Sequence, residues 1–177
     1  INFKDAINKS EIIFIAVGTP SNEKGEADLK YVYKVVDDLV KYNNGKKKIL
    51  VIKSTVPVGT NREISKYLKE KSVNNIEIVS NPEFLREGKA IFDFFHPDRV
   101  VVGYENNSTR SIMEDVYHAL RRANVPFIWC NWETAEIIKY ASNGFLALKV
   151  AYINQIASLA EEVGGDITII SKAMGLD

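Results

Sequence analysis

The sequence predicts an α/β protein: a parallel sheet covered by helices, followed by one long helix. Three observations predict it. Short apolar, β-branched runs alternate with amphipathic stretches as far as Trp129. Clusters of Gly, Pro, Ser, Thr and Asn punctuate the runs. After Trp132 the alternation stops, and apolar residues recur at three- and four-residue steps with no proline.

Ile12-Ile13-Phe14-Ile15-Ala16-Val17 is a continuous apolar run, as expected for a strand buried on both faces. Residues 18–28 are a polar loop. Residues 29–42 carry Val32, Val35, Val36, Leu39 and Val40 at helical spacing, and Asn43-Asn44-Gly45 ends that helix. Residues 48–52 form the second strand. Thr60-Asn61-Arg62-Glu63 has the form of a capping box, with Thr60 as N-cap and Glu63 three residues on. The helix it opens turns Ile64, Tyr67 and Leu68 inward. Residues 76–79 and 99–103 are the third and fourth strands, 108–122 a helix and 125–129 the fifth strand. All five strands are expected to be parallel, joined by right-handed crossovers.

From Thr134 to about Val163 runs one helix of roughly 30 residues, about 45 Å long at 1.5 Å per residue. Ile137, Ala141, Phe145, Leu148, Tyr152, Ile156 and Leu159 fall on its apolar side. A helix of that length passes between domains or packs on a second copy. Gly164-Gly165 stops it, and Asp166 has the chemistry to cap a further helix ending at Gly175. The expected division is a sheet domain over residues 1–130 and the start of an all-α domain over residues 131–177. Both ends read as cuts through a larger polypeptide.

The 177 residues hold 23 Lys+Arg against 23 Asp+Glu, so the formal net charge is zero. That balance speaks against nucleic acid as a partner, since nucleic-acid binders carry a basic excess. No apolar run approaches the roughly 20 residues of a membrane span, and no membrane partner is expected. The first residues offer no secretory leader. One cysteine, Cys130, excludes an internal disulfide and a cysteine-rich zinc site, and the cytoplasm is the expected compartment.

Ligands of an open parallel sheet bind beyond the carboxyl ends of its strands. Three successive strands end here in unusual chemistry: Val17-Gly18-Thr19-Pro20-Ser21, then Lys53-Ser54-Thr55-Val56-Pro57-Val58-Gly59-Thr60, then Ser80-Asn81-Pro82-Glu83-Phe84-Leu85-Arg86-Glu87-Gly88. Each loop alone reads as ordinary turn composition. Three of them on one rim point to a binding site. On a helical turn Glu83 and Glu87 would share a face and could divide acid and base roles. A solvated face with Arg86 as counter-ion is the other reading, and spacing leaves both open. Lys139 and Asn143 stand i, i+4 near the start of the long helix. A lone lysine is ordinarily solvated, but an ammonium and a carboxamide turned toward the rim could stabilise an oxyanion. Cys130 has no neighbouring base and reads as a small buried hydrophobe. Neither His96 nor His118 has metal-ligand spacing, so no metal site is assigned.

At these loops the sequence resembles the UDP-glucose 6-dehydrogenase family of nucleotide-sugar dehydrogenases. The blocks 17–20, 53–60 and 81–88 carry the resemblance, with His96-Pro97-Asp98-Arg99-Val100-Val101-Val102-Gly103 and Thr134-Ala135-Glu136. So do residues 139–149 and Met174-Gly175-Leu176-Asp177, which makes the resemblance nearly continuous along the chain. It implies part of a Rossmann-like NAD-binding domain over 1–130 and the opening of a central helical, dimerisation domain over 131–177. It also implies oxidation of a UDP-sugar C6 alcohol to a carboxylate by two NAD-dependent hydride transfers. A cysteine thiolate holds the intermediate as thiohemiacetal and then thioester.

By the same resemblance Val17, Thr19, Ser54, Thr55 and Glu87, with their neighbours Gly18, Pro20, Ser21 and Val56, contact NAD. Glu83 is the base in thioester hydrolysis and Thr55 positions the water. Lys139 and Asn143 stabilise the oxyanion. Phe84, Leu85 and Arg86, together with Glu83, Glu87, Lys139 and Asn143, belong to the nucleotide-sugar pocket. A homodimer through the long helix from Thr134 is expected. Two departures stand out: the family's glycine fingerprint would precede Ile1, and its catalytic cysteine would follow Asp177. Cys130 matches neither, so the isolated chain is expected to be inactive. GDP-mannose or UDP-N-acetylhexosamine dehydrogenases are the sister reading, and a non-catalytic dimerisation module the reading from another class.

Overall fold

The computed structural model describes residues 2–176. Among them, one sheet holds β1 (Ile12–Ile15), β2 (Lys48–Ile52), β3 (Ile76–Ser80), β4 (Val100–Gly103) and β5 (Phe127–Cys130), in that spatial order. The helices are α1 (Phe3–Lys9), α2 (Lys30–Tyr42), α3 (Thr60–Glu70), α4 (Ala90–Phe95), α5 (Asn107–Val116), α6 (His118–Arg122), α7 (Trp132–Val163) and α8 (Ile167–Met174). The chain divides into two compact units, Ile1–Lys139 and Tyr140–Asp177.

The parallel expectation holds within β1–β3 and within the β4–β5 pair. Between them the sheet turns antiparallel, at the pair Ser80↔Gly103. The reason lies in the connection. A parallel partner for β3 would need a crossover back to the other end of the sheet. Residues 81–99 contain only the six-residue α4, and they stay at the end where β3 finishes. Strand β4 therefore starts where β3 stops and runs the other way. The Asn81 side chain seals the junction by donating Nδ2–H to the Val101 carbonyl at 2.8 Å.

Strand β2 is buried along its whole length and divides the core. Leu50 and Ile52 face one layer, with Val32, Val36 and Leu39 of α2 and Ile64 and Leu68 of α3. Ile49 and Val51 face the other, with Val79, Val100, Val102 and Met113 of α5. This two-sided alternation is why residues 49–52 read as one unbroken apolar run.

Three local expectations change. Helix α3 has Gly59 as N-cap, at φ 97°, and Thr60 is its first helical residue. The Thr60 hydroxyl donates to the Pro57 carbonyl at 2.7 Å, and Glu63 accepts from the Tyr33 hydroxyl at 3.3 Å. Both capping-box side chains are thus engaged elsewhere. The helix expected over 108–122 is broken at Tyr117 into α5 and α6. Residues 83–88 lie outside any helix, so Glu83 and Glu87 do not share a helical face.

In the second unit, α7 ends at Gly164, at φ 73°, as the paired glycines predicted. The Gly165 N–H closes on the Ala160 carbonyl at 2.7 Å. Asp166 caps α8 by accepting from the N–H groups of Thr168 and Ile169. Phe145, Leu148, Tyr152 and Leu159 are exposed along α7.

Gly103 is where β4 meets the root of α7. A β-carbon there would stand 2.8 Å from Ala135 Cβ, 2.8 Å from the Asn131 carbonyl oxygen and 3.0 Å from Trp132 Cα. Two of these are backbone atoms and have no flexible end to yield. Gly103→Ala is expected to destabilise the chain by about 1–3 kcal/mol, read as a lower urea midpoint at unchanged m-value.

Candidate functional site

The paired register Ile15↔Ile52 and Ile52↔Ser80 sets the carboxyl ends of β1, β2 and β3 side by side. Their three loops begin on one rim as the sequence predicted, and hydrogen bonds stitch them together. The Ser54 hydroxyl donates to the Val17 carbonyl at 2.7 Å, and the Ser54 N–H to Ile15 at 3.0 Å. The Thr19 hydroxyl donates to the Thr55 carbonyl at 2.8 Å. Asn81 N–H reaches the Ile52 carbonyl at 2.9 Å. With their protons committed, the Ser54 and Thr19 hydroxyls can only accept from any further group. The Thr55 hydroxyl has no protein partner among the described residues.

The other cofactor candidates are placed less directly. Gly18 is exposed, with open space where a side chain would stand. The Pro20 carbonyl accepts from Asp28 N–H at 2.8 Å, and Ser21 forms an isolated bridge with Ala27. The Val56 side chain is buried in the core beneath the rim.

Beyond β3 a small cavity, about 50 Å³, is lined by Glu83, Phe84 and Leu85 together with Lys53, Asn81 and Arg99. Phe84 is its electrostatic platform: the Arg99 guanidinium lies 4.1 Å and the Lys139 ammonium 5.2 Å from the ring centroid. Lys139 is buried, 9% exposed, despite its charge. That burial pushes its pKa down; Glu83 opposes the shift and Arg99 adds to it. Burial likewise pushes Lys53 down, with Glu83 opposing and Lys139 adding. The Glu83 carboxylate accepts no protein hydrogen bond among the described residues, so its oxygens face the cavity uncommitted.

Arg86 turns to another partner. Its Nε and backbone N–H both donate to Asp93 Oδ2, at 3.0 and 2.8 Å, and its Nη2 donates to Oδ1 at 2.5 Å. It is therefore the counter-ion of Asp93 on α4 and not of Glu83 or Glu87. The clamp fixes the turn at residues 86–89, closed by Lys89 N–H on the Arg86 carbonyl at 3.1 Å. Glu87 is exposed on that turn. Asn143 is exposed on α7 within the second unit. Cys130 is half-buried, and burial raises its thiol pKa, the reverse of what a nucleophile needs.

The loop after β2 is held by a residue whose role sequence reasoning missed. Glu136, on the first turns of α7, is buried and accepts from Gly59 N–H at 2.6 Å. Its other oxygen accepts from Asn61 N–H at 2.9 Å and Asn61 Nδ2–H at 2.6 Å. A carboxylate from a distant helix thus caps α3. Trp132 anchors the same helix root by donating Nε1–H to the Ile78 carbonyl at 3.0 Å. Asn81 is pinned from a third side by the Tyr117 hydroxyl, which donates to its Oδ1 at 2.5 Å. Burial raises the Tyr117 pKa to about 12, which keeps it a donor.

Hydroxyls, a carboxylate and a buried amine thus gather beyond the strand ends, where open α/β sheets bind their ligands. Residues 1–121 match the NAD binding domain of the UDP-glucose/GDP-mannose dehydrogenase family, and residues 133–177 its central domain. The chain belongs to that family. A UDP-glucose 6-dehydrogenase of Rickettsia felis is 47% identical over 175 residues, covering 99% of this chain and 39% of that protein. The structure of a UDP-glucose dehydrogenase from Pyrobaculum islandicum superposes with TM-score 0.89 at 38% identity, over 99% of this chain and 41% of the other. A GDP-mannose dehydrogenase from Pseudomonas aeruginosa gives 0.92 at 32% identity, with the same coverage. The chain thus spans about two-fifths of the length of these relatives.

Two outcomes test the site's construction. Glu136→Ala leaves the buried N–H groups of Gly59 and Asn61 unpaired and is expected to lower stability by about 2–4 kcal/mol in urea unfolding. The Asp93 carboxyl is held down at about 2, first by the Arg86 side chain and then by its backbone N–H. A carboxyl below its unfolded value, about 3.9, adds stability above that value and loses it as pH falls toward 2. Asp93→Asn should therefore flatten the acid side of a plot of melting temperature against pH.

Proposed function

We propose that this segment forms the inner wall of the active site of a UDP-glucose 6-dehydrogenase. The observation that carries the reading is one uncommitted carboxylate, Glu83, sharing a cavity with Lys53 and Arg99 and interacting with the buried Lys139. High identity to proteins of that name supports it. On this reading residues 1–130 belong to the NAD-binding domain, and residues 131–177 open a helical domain.

Each residue then has a task. Val17, Gly18, Thr19, Pro20 and Ser21 flank the cofactor with Ser54, Thr55, Val56 and Glu87, the Thr19 and Ser54 oxygens accepting from its donors. Bound NAD supplies a hydride acceptor. Phe84, Leu85 and Arg86 wall the nucleotide-sugar side. In the hydrolytic step Glu83 takes a proton from water as the water oxygen attacks a thioester carbonyl. Thr55 orients that water, and the Lys139 ammonium, with Asn143, neutralises the oxyanion before the thiolate leaves. The thiolate comes from outside this chain, because Cys130 lies in β5 with a raised pKa. The exposed apolar residues of α7 suit contact with a second copy, giving a homodimer, and the single cysteine suits a reducing cytoplasm. No described helix is long and apolar enough to cross a membrane.

The test uses a polypeptide that carries this segment at the length of its relatives. NADH formation from UDP-glucose is expected to fall about 10²–10⁴-fold in Glu83→Gln. Preferential turnover of GDP-mannose or a UDP-N-acetyl sugar would overturn the choice of substrate. Substantial turnover by the 177-residue chain alone would overturn the assignment of an external thiolate.

A further inference from the structure

The loop that carries Glu83 is held at two points. Downstream, the Arg86 N–H is tied to Asp93 Oδ2 at 2.8 Å. Upstream, the loop leaves the sheet at Asn81, the buried residue directly after β3. Three elements grip Asn81. Its N–H donates to the Ile52 carbonyl of β2 at 2.9 Å, and its Nδ2–H to the Val101 carbonyl of β4 at 2.8 Å. Its Oδ1 accepts from the Tyr117 hydroxyl at 2.5 Å, across 36 residues of sequence. The first two acceptors are main-chain groups that any sequence in those strands presents. The third partner is a side chain, and it depends on Tyr117 alone.

The fold sets Tyr117 in place for this. The backbone leaves helical geometry there, at φ −102° and ψ 20°, and parts α5 from α6. The ring packs on Phe127 of β5, with centroids 6.1 Å apart. The residue lines both the Glu83 cavity and the apolar hollow beside it. A phenol has one proton to give, and here it goes to Asn81. The Asn81 carboxamide can stand in two orientations related by a half-turn. Only one of them offers its NH2 to Val101 and its oxygen to the phenol, so both partners choose the same one. Pro82 follows, with φ locked at about −65° by its ring. Few torsions are then left between Asn81 and Glu83 to absorb a change in the set of the amide.

We propose that Tyr117 is a positioning residue for Glu83, acting through Asn81. The phenol fixes the amide that starts the loop, and the loop then presents the Glu83 carboxylate to the cavity in one direction. Tyr117 itself touches no reacting atom. The inference rests on reading Glu83 as the base of the hydrolytic step, since a base must stand within hydrogen-bond reach of the water it deprotonates. Burial raises the Tyr117 pKa to about 12, so the phenol keeps its proton and its grip on Asn81 across neutral pH.

Tyr117→Phe removes one oxygen and keeps the ring against Phe127. In the 177-residue chain, amide hydrogen exchange reads the loop directly. Exchange at residues 83–88 should quicken about three- to tenfold, the range one lost hydrogen bond supplies, while β1 and α2 exchange as in the parent. In an Asn81→Ala background the same substitution should add nothing, because its partner is gone. If Asn81→Ala does not fold, the single variant decides. Exchange at 83–88 equal to that of the parent would overturn the proposal, and so would a full additional effect on top of Asn81→Ala. In a polypeptide of the relatives' length, Tyr117→Phe should lower kcat for NADH formation about tenfold, with KM for UDP-glucose and NAD unchanged. The acyl thioester should then remain on the intact protein as added mass. A lowered urea midpoint with parental kcat would make Tyr117 a stabilising residue only and overturn the proposal. Glu83→Gln is run alongside. If it leaves no thioester, the reading of Glu83 fails, and the exchange comparison still judges Tyr117.

Discussion

The carboxylate of Glu136 holds the site together. It is buried, and it caps the start of a helix 75 residues away in sequence. The first N–H groups of an α-helix need acceptors, and a local serine or aspartate usually supplies them. Here Gly59 stands at the N-cap and carries no side chain. The acceptor comes instead from the helix that also bears Lys139. One interaction therefore fixes two things: the path of the loop carrying Ser54 and Thr55, and the seat of the residues that start α7. Gly103 lets that helix settle against β4, and Trp132 ties it to β3.

Electrostatics follow from that seating. Lys139 sits three residues beyond Glu136 in a buried position, where an ammonium is costly unless an opposite charge is near. Glu83 supplies that charge and Phe84 offers its ring face. Charge and shape are thus provided by different segments. The sheet aligns the loops, α4 holds Arg86 through Asp93, and α7 delivers the amine.

Much of this was legible in the sequence. Strand β2 and the caps of α8 follow from local chemistry, and they lie where the residues place them. The rim was legible too, because three strands in succession end in turn-forming residues. What escaped was long-range pairing. The capping box at Thr60 was chemically sound but lost to Glu136, a partner no local pattern points to. Tyr117 reads as an ordinary helical residue until its hydroxyl is seen on Asn81. Arg86 looked like the natural partner of its neighbours Glu83 and Glu87, yet a bidentate acceptor seven residues away wins. Lys53 did leave a trace: a charged residue directly after the buried apolar run of residues 49–52. Whether it faced solvent or a cavity depended on β3 and β4.

The reversal of direction at Ser80↔Gly103 has its own consequence. Because residues 81–99 leave and rejoin the sheet at one end, their length is uncoupled from strand order. A longer or shorter excursion there would reshape the wall behind Phe84 while every ladder contact of the sheet stayed in place. The architecture separates what must remain constant, the alignment of three strand termini, from a segment free to be re-cut in length and shape.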